Sequence, residues 1–218
     1  APAGPGKLAS NAVSEMARKL GLVSVIGRAK VAERARENSE NLEQAARKAR
    51  YDFLERTAKK RKAQFVLTGH TMDDQAETML LRLMRGSSGV GLAGMEAVRP
   101  INKDSKVSLV RPLLWARRSQ TEEYCHQRKI NYQHDEMNDD EGFARVKVRK
   151  QLLPMMQTFN RKVVEALSRT ATLLREDGNV LLDKSDALLE KASNNDTEKR
   201  TEVPPLNVHV LSGSPPAL

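Results

Sequence analysis

The sequence predicts an α/β fold with a parallel sheet, followed by an all-α segment. Short apolar runs that suit strands alternate with longer stretches of helical periodicity, a pattern typical of a parallel sheet with helices on both faces. After Pro154 the pattern is helical only. We therefore expect an α/β domain over residues 1–155 and a helical linker or substrate-binding domain over residues 156–218. The strands are expected at Val23–Ile26, Gln64–Leu67, Val107–Val110 and Tyr132–His134.

Periodicity and end signals predict the helices. The clearest begins at Asn41, a residue suited to capping a first turn, with Gln44 at the third position, and runs to about Lys62. The other helices of the α/β part are expected at Asn11–Leu20 closed by Gly21, Val31–Asn38, Asp73–Arg85, and Ser119–Lys129 with a capping box from Ser119 to Glu122. Two amphipathic helices are expected after Pro154, one containing Val163 to Leu174 and one over Val180–Ala192.

Composition and charge narrow the class of protein. The net charge of +9 favours a polyanionic partner through phosphate contacts and counterion release, although a solvated helical surface would also account for it. The one cysteine, Cys125, excludes an intrachain disulfide, a thiolate-rich zinc site and a Cys-x-x-Cys sulfur relay. No apolar run approaches the roughly 18 residues of a membrane span. The segment Ala1–Lys7 has no apolar core, so we do not expect a secretory signal there.

The stretch from His70 to Glu77 combines an imidazole with three carboxylates where a strand is expected to lead into a helix. In open α/β sheets, ligands bind at the carboxyl ends of the strands. Asp73 and Glu77 share a helix face, and such a carboxylate cluster suits Mg²⁺ bound to phosphates. The structural alternative is a capping box from Thr71 to Asp74, with acidic residues favouring the helix dipole. That alternative explains Asp74 but not the other groups.

Two further motifs have a functional and a structural interpretation. The glycine-rich turn Gly86–Gly94 could let backbone approach ATP or RNA closely, or it could be a helix cap at Gly86 followed by a loop. Farther on, Arg145, Lys147 and Arg149 alternate with valines. In an extended segment these three cations would face the same way and form a phosphate-binding row. The alternative is a solvated strand face.

These motifs, in this order, resemble the tRNA(Ile)-lysidine synthase family of PP-loop ATP pyrophosphatases. The resemblance covers roughly residues 10–180 and is carried by Asn41–Leu54, Gly69–Met95, Arg111–Leu114, Asp135–Asn138, Arg145–Arg149 and Leu153–Pro154. It implies a Rossmann-like, adenine nucleotide α-hydrolase-like fold, with ATP and Mg²⁺ as cofactors. In the implied reaction, ATP adenylates the C2 oxygen of the wobble cytidine of an isoleucine tRNA with a CAU anticodon. The amine of free lysine then displaces AMP and forms lysidine.

The resemblance also implies roles for individual residues. The catalytic residues, around ATP, Mg²⁺ and the target base, would be His70, Asp73, Asp74 and Glu77, with Asp73 and Asp74 as the metal ligands. The ATP-binding residues would be Gly69, Arg85, Gly86, Ser87 and Arg111, although Arg111 could instead reach the RNA. The RNA-binding residues would be Asn138, Arg145, Lys147 and Arg149. Which group acts as general base stays open. The sequence departs from the family pattern at Ser88, Met137 and Val146.

The family's first signature, a Ser-Gly-Gly-x-Asp-Ser PP-loop, is absent from the sequence. We therefore expect a fragment shortened at both ends. Because glycine-rich loops of this kind supply backbone N–H groups to phosphates, the isolated chain is expected to have little activity. The alternatives are a non-catalytic tRNA-binding protein and another PP-loop tRNA-modifying enzyme. Among the latter, a thiolase is disfavoured because Cys125 is the one cysteine.

The expected setting follows from the same resemblance. We expect a cytoplasmic protein of a bacterium, or of an organelle of bacterial origin, with no membrane contact. A homodimer is an option that the sequence leaves open.

Overall fold

A computed structural model describes residues 5–130, 132 and 142–194 of the 218-residue chain. The expected strand positions Gln133 and His134 lie outside the described residues, as does the segment Asp135–Asn138. The chain divides into two compact units, Ala1–Met72 with Glu96–Glu141 and Asp73–Met95 with Gly142–Leu218. Our domain boundary at residue 155 rests on the change of sequence pattern and stays a prediction.

The first unit contains a three-stranded sheet with the order β1-β3-β2. Its strands are β1 (Phe65–Leu67), β2 (Val98–Pro100) and β3 (Ser108–Val110). Strand β1 runs parallel to β3, with Phe65 opposite Ser108, and β2 runs antiparallel to β3, with Val98 opposite Val110. The predicted strands at 64–67 and 107–110 are thus confirmed, and they pair in parallel as expected for a parallel sheet, whereas β2 makes the sheet mixed. The edge strand β2 was not predicted, because its three residues end in a proline, which sequence patterns associate with an edge or no strand at all.

The predicted strand Val23–Ile26 is wrong. This segment has no regular secondary structure, and its side chains are exposed, with Val23 at 73% and Ile26 at 58%. A strand forms only where a neighbour can satisfy its backbone groups, and none of the described strands pairs with this segment.

The helices are numbered along the chain. They are α1 (Pro5–Lys19), α2 (Val31–Glu37), α3 (Leu42–Arg61), α4 (Met72–Arg85), α5 (Gly89–Leu92), α6 (Arg118–Gln127), α7 (Ala144–Lys147), α8 (Leu153–Phe159) and α9 (Val163–Asn194). A π-helical turn, Val148–Leu152, joins α7 to α8. None of the described helices combines the length and the apolar character needed to cross a membrane.

The ends of the helices agree with the sequence in part. Asn41 Oδ1 accepts a hydrogen bond from Gln44 N at 2.8 Å, which confirms the predicted cap of α3. The predicted box at Ser119 is wrong, since α6 begins at Arg118 and the bond runs from Arg117 N to Gln120 Oε1 at 2.8 Å. The box thus lies two residues earlier than predicted, and this shift changes which side chain can reach back to the first free N–H.

The two helices predicted after Pro154 form one continuous helix, α9. The sequence Asp177-Gly178-Asn179 resembles a break, but Gly178 lies inside the helix and is buried. A Cβ atom at Gly178 would lie 3.1 Å from Val90 Cγ2, so the glycine allows α9 to pack closely against α5. The glycine therefore serves packing within the second unit rather than chain reversal.

Each unit has its own buried side chains. In the first unit, α3 covers the sheet, and the core comprises Tyr51, Ala58, Ile101, Val107 and Leu109. In the second unit, the buried apolar residues include Ala76, Met79 and Leu80 of α4, Val146 and Val148, and Val163, Val164 and Ala171 of α9.

Candidate functional site

The carboxyl end of the parallel strand pair lies in the first unit. Leu67 of β1 is opposite Val110 of β3, so the chain leaves both strands at the same edge. Thr68 N donates to Val110 O at 2.9 Å and extends the ladder by one bond. His70 follows, partly buried, with its Nδ1 at 2.9 Å from Thr68 Oγ1. The imidazole predicted for the ligand edge is therefore held there by a hydroxyl two residues before it.

Two predicted nucleotide-binding residues flank the same edge. Gly69 is exposed, and a Cβ atom there would have no neighbour within 4 Å. Arg111 directly follows β3 and is only 3% exposed. Its guanidinium donates to Glu96 O at 2.6 Å, while its Nε has no hydrogen-bond partner. Burial lowers the pKa of Arg111, and the electrostatic interaction and hydrogen bond with the Tyr51 side chain oppose that change.

The acidic turn lies at the start of α4, in the second unit. Glu77 is fully buried, and both of its carboxylate oxygens accept charge-assisted hydrogen bonds. Arg145 Nε donates to Glu77 Oε2 at 2.7 Å, and Arg149 Nε donates to Glu77 Oε1 at 2.7 Å. Arg145 also donates to Asp74 Oδ1 at 3.2 Å. Two arginines thus pair with Asp74 and Glu77 in the first two turns of α4.

The predicted extended row of cations is wrong in its conformation. The segment is helical, so Arg145 and Arg149, four residues apart, share a face and both reach Glu77. Val146 and Val148 are buried, and Lys147 is exposed. The alternation of cations with valines indicated a strand, but burial of the valines is also possible in a short helix and its π-turn. Roles of these residues in RNA binding stay predictions.

The charge balance of this cluster follows from the contacts. The pKa of Arg149 is raised, chiefly by its hydrogen bond to Glu77, with burial acting in the opposite direction. The charges of Glu77, Asp74 and Asp73 add to the increase. Glu77 is therefore a buried partner for cations, and its oxygens are already in use.

These contacts decide which carboxylates could bind a metal ion. No group of three or more His, Cys, Asp or Glu side chains with metal-binding geometry occurs in the described parts of the chain. Asp73 and Asp74 are only partly buried, whereas Glu77 is inaccessible. Mg²⁺ commonly binds proteins through one or two carboxylates together with substrate phosphates, so the donor types of Asp73 and Asp74 fit this ion.

The glycine-rich turn after α4 is held by side chains that the sequence did not single out. Gln75 is buried, accepts from Met95 N at 2.7 Å and donates to Met95 O at 3.2 Å. Arg82 donates to Gly91 O at 2.6 Å and to Gly94 O at 3.0 Å. Arg175 donates to Met95 O at 2.9 Å and also to Ala93 O. Gln75 and Arg82 are seven residues apart on one helix face, a spacing visible in the sequence, but the contribution of Arg175 depends on the tertiary fold.

The glycines of this turn have distinct tasks. Gly86 closes α4 with a left-handed φ of +74° and donates to Leu83 O at 3.1 Å, so the capping interpretation is confirmed. Gly94 also has a positive φ, +68°, and a Cβ atom there would lie 2.6 Å from the amide nitrogen of Gln75. Ser88 caps the short helix α5 by accepting from Gly91 N at 3.3 Å. Whether the turn also contacts a ligand stays a prediction.

The predicted site residues are thus distributed over both units. Those in the first unit are Gly69, His70 and Arg111. Those in the second unit are Asp73, Asp74, Glu77, Arg85, Gly86, Ser87, Arg145, Lys147 and Arg149. Arg85 is exposed in the last turn of α4 and Ser87 is partly buried. Asn138 lies outside the described residues.

Comparison with known proteins assigns the chain to a family. Residues 6–156 match the model of a PP-loop domain. The chain is 36% identical over 165 residues to a tRNA(Ile)-lysidine synthase of Bacillus cereus, which covers 76% of this chain and 34% of that protein. It is 38% identical over 153 residues to the Nostoc synthase, with 70% and 44% covered, and 32% identical over 183 residues to that of Clostridioides difficile, with 84% and 38% covered.

The chain spans 34% to 44% of the length of these three relatives. The matched region contains the β1–α4 connection and the acidic turn described above. The mixed α/β architecture, with a parallel strand pair and a following helical segment, is the one expected from the sequence. The family match extends over more than half of the chain, and the chain therefore belongs to the PP-loop domain family.

Proposed function

We propose that this chain is part of an ATP-dependent ligase that joins lysine to the wobble cytidine of an isoleucine tRNA with a CAU anticodon. The observation that carries the proposal is similarity to tRNA(Ile)-lysidine synthases over 70% to 84% of the chain. The structure supports it with an imidazole at the carboxyl edge of the sheet and an acidic first turn on α4. We propose that the protein acts in a bacterial cytoplasm.

The chemistry of this reaction suits the residue types. Adenylation of the cytidine C2 oxygen releases pyrophosphate, so negative charge must be stabilised on the phosphates. Asp73 and Asp74 would hold Mg²⁺, which supplies charge neutralisation when bound. Glu77, paired with Arg145 and Arg149, keeps the first turns of α4 in place instead of touching substrate.

Attack by lysine requires an unprotonated amine. His70 is our candidate for the group that accepts the proton from the lysine ammonium, since Thr68 Oγ1 at 2.9 Å from its Nδ1 orients the ring. The target base must leave its stack to react, as other base-modifying enzymes require. Free lysine and the anticodon loop are thus the two substrates besides ATP.

We also propose that these 218 residues alone catalyse lysine transfer only slowly. The sequence contains no Ser-Gly-Gly-x-Asp-Ser segment, whose backbone N–H groups would otherwise bind pyrophosphate. A matched pair tests both parts of the proposal. One protein is the chain itself, and the other is the same chain joined behind the amino-terminal part of a synthase that carries this signature.

The assay measures transfer of radiolabelled lysine to the isoleucine tRNA in the presence of ATP. We expect ATP-dependent transfer by the joined protein and little by the chain alone. Asp73→Asn in the joined protein should lower transfer by at least about a hundredfold, the scale of losing a catalytic electrostatic group. Asp183→Asn, an exposed position on α9, is the control and should leave transfer unchanged. Joined protein that binds tRNA and ATP but transfers no lysine would refute the proposal.

A second candidate is a non-catalytic tRNA-binding protein. The net charge of +9 favours it, because RNA binding needs cations rather than a phosphate loop. Separate titrations with tRNA and with ATP distinguish the two. Tight binding of tRNA together with no binding of ATP, even by the joined protein, would favour this candidate over the ligase.

A further inference from the structure

A cavity of about 480 Å³ lies on the first unit, between α3 and the segment that runs from β2 to β3. Its walls are rich in cations, and none of its lining residues has been given a role above in binding ATP, lysine or RNA. The lining residues are Gln44, Arg47, Lys48, Tyr51, Asp52, Arg99, Ile101, Asn102 and Lys103.

Tyr51 is the centre of this cavity's cationic cluster. The guanidinium carbon of Arg47 lies 5.1 Å from the centre of the Tyr51 ring, and that of Arg99 lies 5.7 Å from it. Arg111, buried nearby, forms a hydrogen bond with Tyr51, and the charges of Arg99 and Arg47 help to lower its pKa. Three like charges are thus close enough to repel one another.

Little among the described residues of the first unit offsets these charges. In the described part of the chain, no carboxylate lies at ion-pair distance from Arg47, Arg99 or Arg111. Asp52, the acid that lines the cavity, is paired at 2.7 Å with Arg34. Arg111 Nε is buried without a hydrogen-bond partner. Among the described residues, these three arginines are thus held together without an ion-paired carboxylate, and such a cluster is ready for an anion from outside.

The arginines are also held in position before any ligand arrives. Arg99 donates through one nitrogen to Pro100 O at 2.7 Å and to Ile101 O at 3.1 Å. The cation–π contacts with the Tyr51 ring restrict the positions of the Arg47 and Arg99 guanidinium groups further. Planar guanidinium groups bind phosphate oxygens in pairs, whereas lysines act as point charges. The geometry is therefore suited to a phosphate group.

We propose that Arg47 and Arg99, arranged around Tyr51 and backed by the charge of Arg111, bind a phosphodiester group of the RNA backbone. The proposal rests on the RNA substrate proposed above and adds a docking point on the flank of the sheet. The Tyr51 ring is covered by guanidinium groups, so the pocket offers no aromatic surface for a nucleobase. Exposed Lys103 on the rim continues the positive surface along which a chain of phosphates could run. Both features favour RNA over a free nucleotide.

The test compares the whole 218-residue chain with its R47A/R99A and K60A/R61A variants. The second variant removes the same charge from exposed positions at the end of α3 and is the matched control. The probe is a fluorescent RNA hairpin with a CAU loop, titrated over a series of salt concentrations. We expect R47A/R99A to bind about tenfold more weakly, the scale of one charge-assisted hydrogen bond. Its salt dependence should be shallower by about one to two phosphate contacts.

R47K/R99K keeps the charge but removes paired hydrogen bonding, so its RNA affinity should fall between those of the unaltered chain and R47A/R99A. It also keeps the test decisive if R47A/R99A fails to fold, because an affinity equal to that of the unaltered chain would then overturn the proposal. Equal losses in R47A/R99A and K60A/R61A would overturn it as well. Displacement of the hairpin by equimolar ATP or pyrophosphate would identify a free phosphate compound as the ligand and reject RNA.

The outcomes separate this proposal from the proposed function. Unchanged RNA affinity in R47A/R99A, together with lysine transfer by the joined protein, would refute the proposed role of the pocket and support the ligase proposal. An unaltered chain that binds no RNA hairpin would overturn the pocket proposal, and lysine transfer by the joined protein would then decide the ligase proposal separately.

Discussion

Arg149 Nε donates to Glu77 Oε1 at 2.7 Å, and a second bond of 3.1 Å joins its terminal nitrogen to the other oxygen. The pair joins α4 to the π-helical turn, two elements that are about 70 residues apart in the chain. Glu77 has no exposed surface, so water cannot replace the arginines as its partners. The acidic turn thus depends on this bridge for its conformation.

Replacing Glu77 should destabilise the fold. In Glu77→Gln, two partly buried guanidinium groups would lose their carboxylate, and breaking a buried pair typically costs about 3–5 kcal/mol. Because the arginine side chains are still 25% to 28% exposed, we expect a smaller loss of about 2–3 kcal/mol in the free energy of unfolding. Urea denaturation followed by circular dichroism measures it.

Glu176→Gln, on an exposed part of α9, is the matched control and should change the free energy of unfolding by less than about 0.5 kcal/mol. Equal stabilities of the two variants would show that water stabilises the two arginines as well as the Glu77 carboxylate does. The bridge would then not support the acidic turn.

Gly94 and Gly86 give a pair of substitutions that differ in one respect. Both have a left-handed φ, but a Cβ atom at Gly94 would meet the Gln75 side chain at 2.6–2.7 Å, whereas at Gly86 nothing lies within 4 Å. Gly86→Ala should therefore cost about 1–2 kcal/mol, the conformational penalty alone. Gly94→Ala should cost about 1–3 kcal/mol more, because the Gln75 amide must move off Met95.

Urea denaturation of the two alanine variants measures the difference in the free energy of unfolding. If Gly94→Ala and Gly86→Ala had the same stability, the Gln75 side chain could leave its position without loss. The hydrogen bonds between Gln75 and Met95 would then contribute nothing to the free energy of unfolding.

Local signals predicted most of the elements, and tertiary contacts explain the exceptions. The Asn41 cap and the helix over 72–85 could be predicted because propensity, periodicity and end residues agree there. Val23–Ile26 has the composition of a strand but lacks a neighbouring strand. Gly178 is a residue type that often interrupts helices, but here it lies within α9 and packs against Val90. Both outcomes depend on whether a neighbour from elsewhere in the chain packs there, which local sequence signals do not show.

The same limit applies to the site. The cluster from His70 to Glu77 was visible in the sequence, because its residues are close along one chain segment. The burial of Glu77 by Arg145 and Arg149 was not, because alternation with valines indicated a strand, in which those cations would not share a partner on α4. Arg175, which holds the glycine-rich turn from about 80 residues away, gave no local signal.

Acid should weaken the first unit through Glu55. Hydrogen bonds from Ser105, Lys59 and Asn102, in that order of effect, lower the pKa of Glu55 from 4.5 to about 2. A carboxylate with a lowered pKa in the folded state adds stability above its unfolded pKa. That stability is lost as the pH falls from about 4.5 through about 2.

Glu55→Gln removes this titration. The difference in stability between the unaltered chain and Glu55→Gln should therefore shrink as the pH is lowered from about 6 to about 2, measured by urea denaturation at each pH. Glu43→Gln, exposed at the start of the same helix, is the control. A difference that stays constant over this range would mean that the three hydrogen bonds do not favour the charged carboxylate.

Thr68 should fix the tautomer of His70. The Thr68 hydroxyl, 2.9 Å from Nδ1, can donate to this nitrogen or accept from it, and only the second arrangement leaves Nε2 free to act as a base. A free imidazole, by contrast, is a mixture of two tautomers. Nitrogen chemical shifts of the labelled chain, recorded at a pH where the imidazole is neutral, report the two populations. We expect one tautomer to dominate at His70 in the unaltered chain and in Thr68→Ser, which keeps the hydroxyl, and a mixture in Thr68→Val. If Thr68→Val kept the dominant tautomer, another group would be orienting the ring, and the assignment of Thr68 as the residue that positions the proposed base would fail.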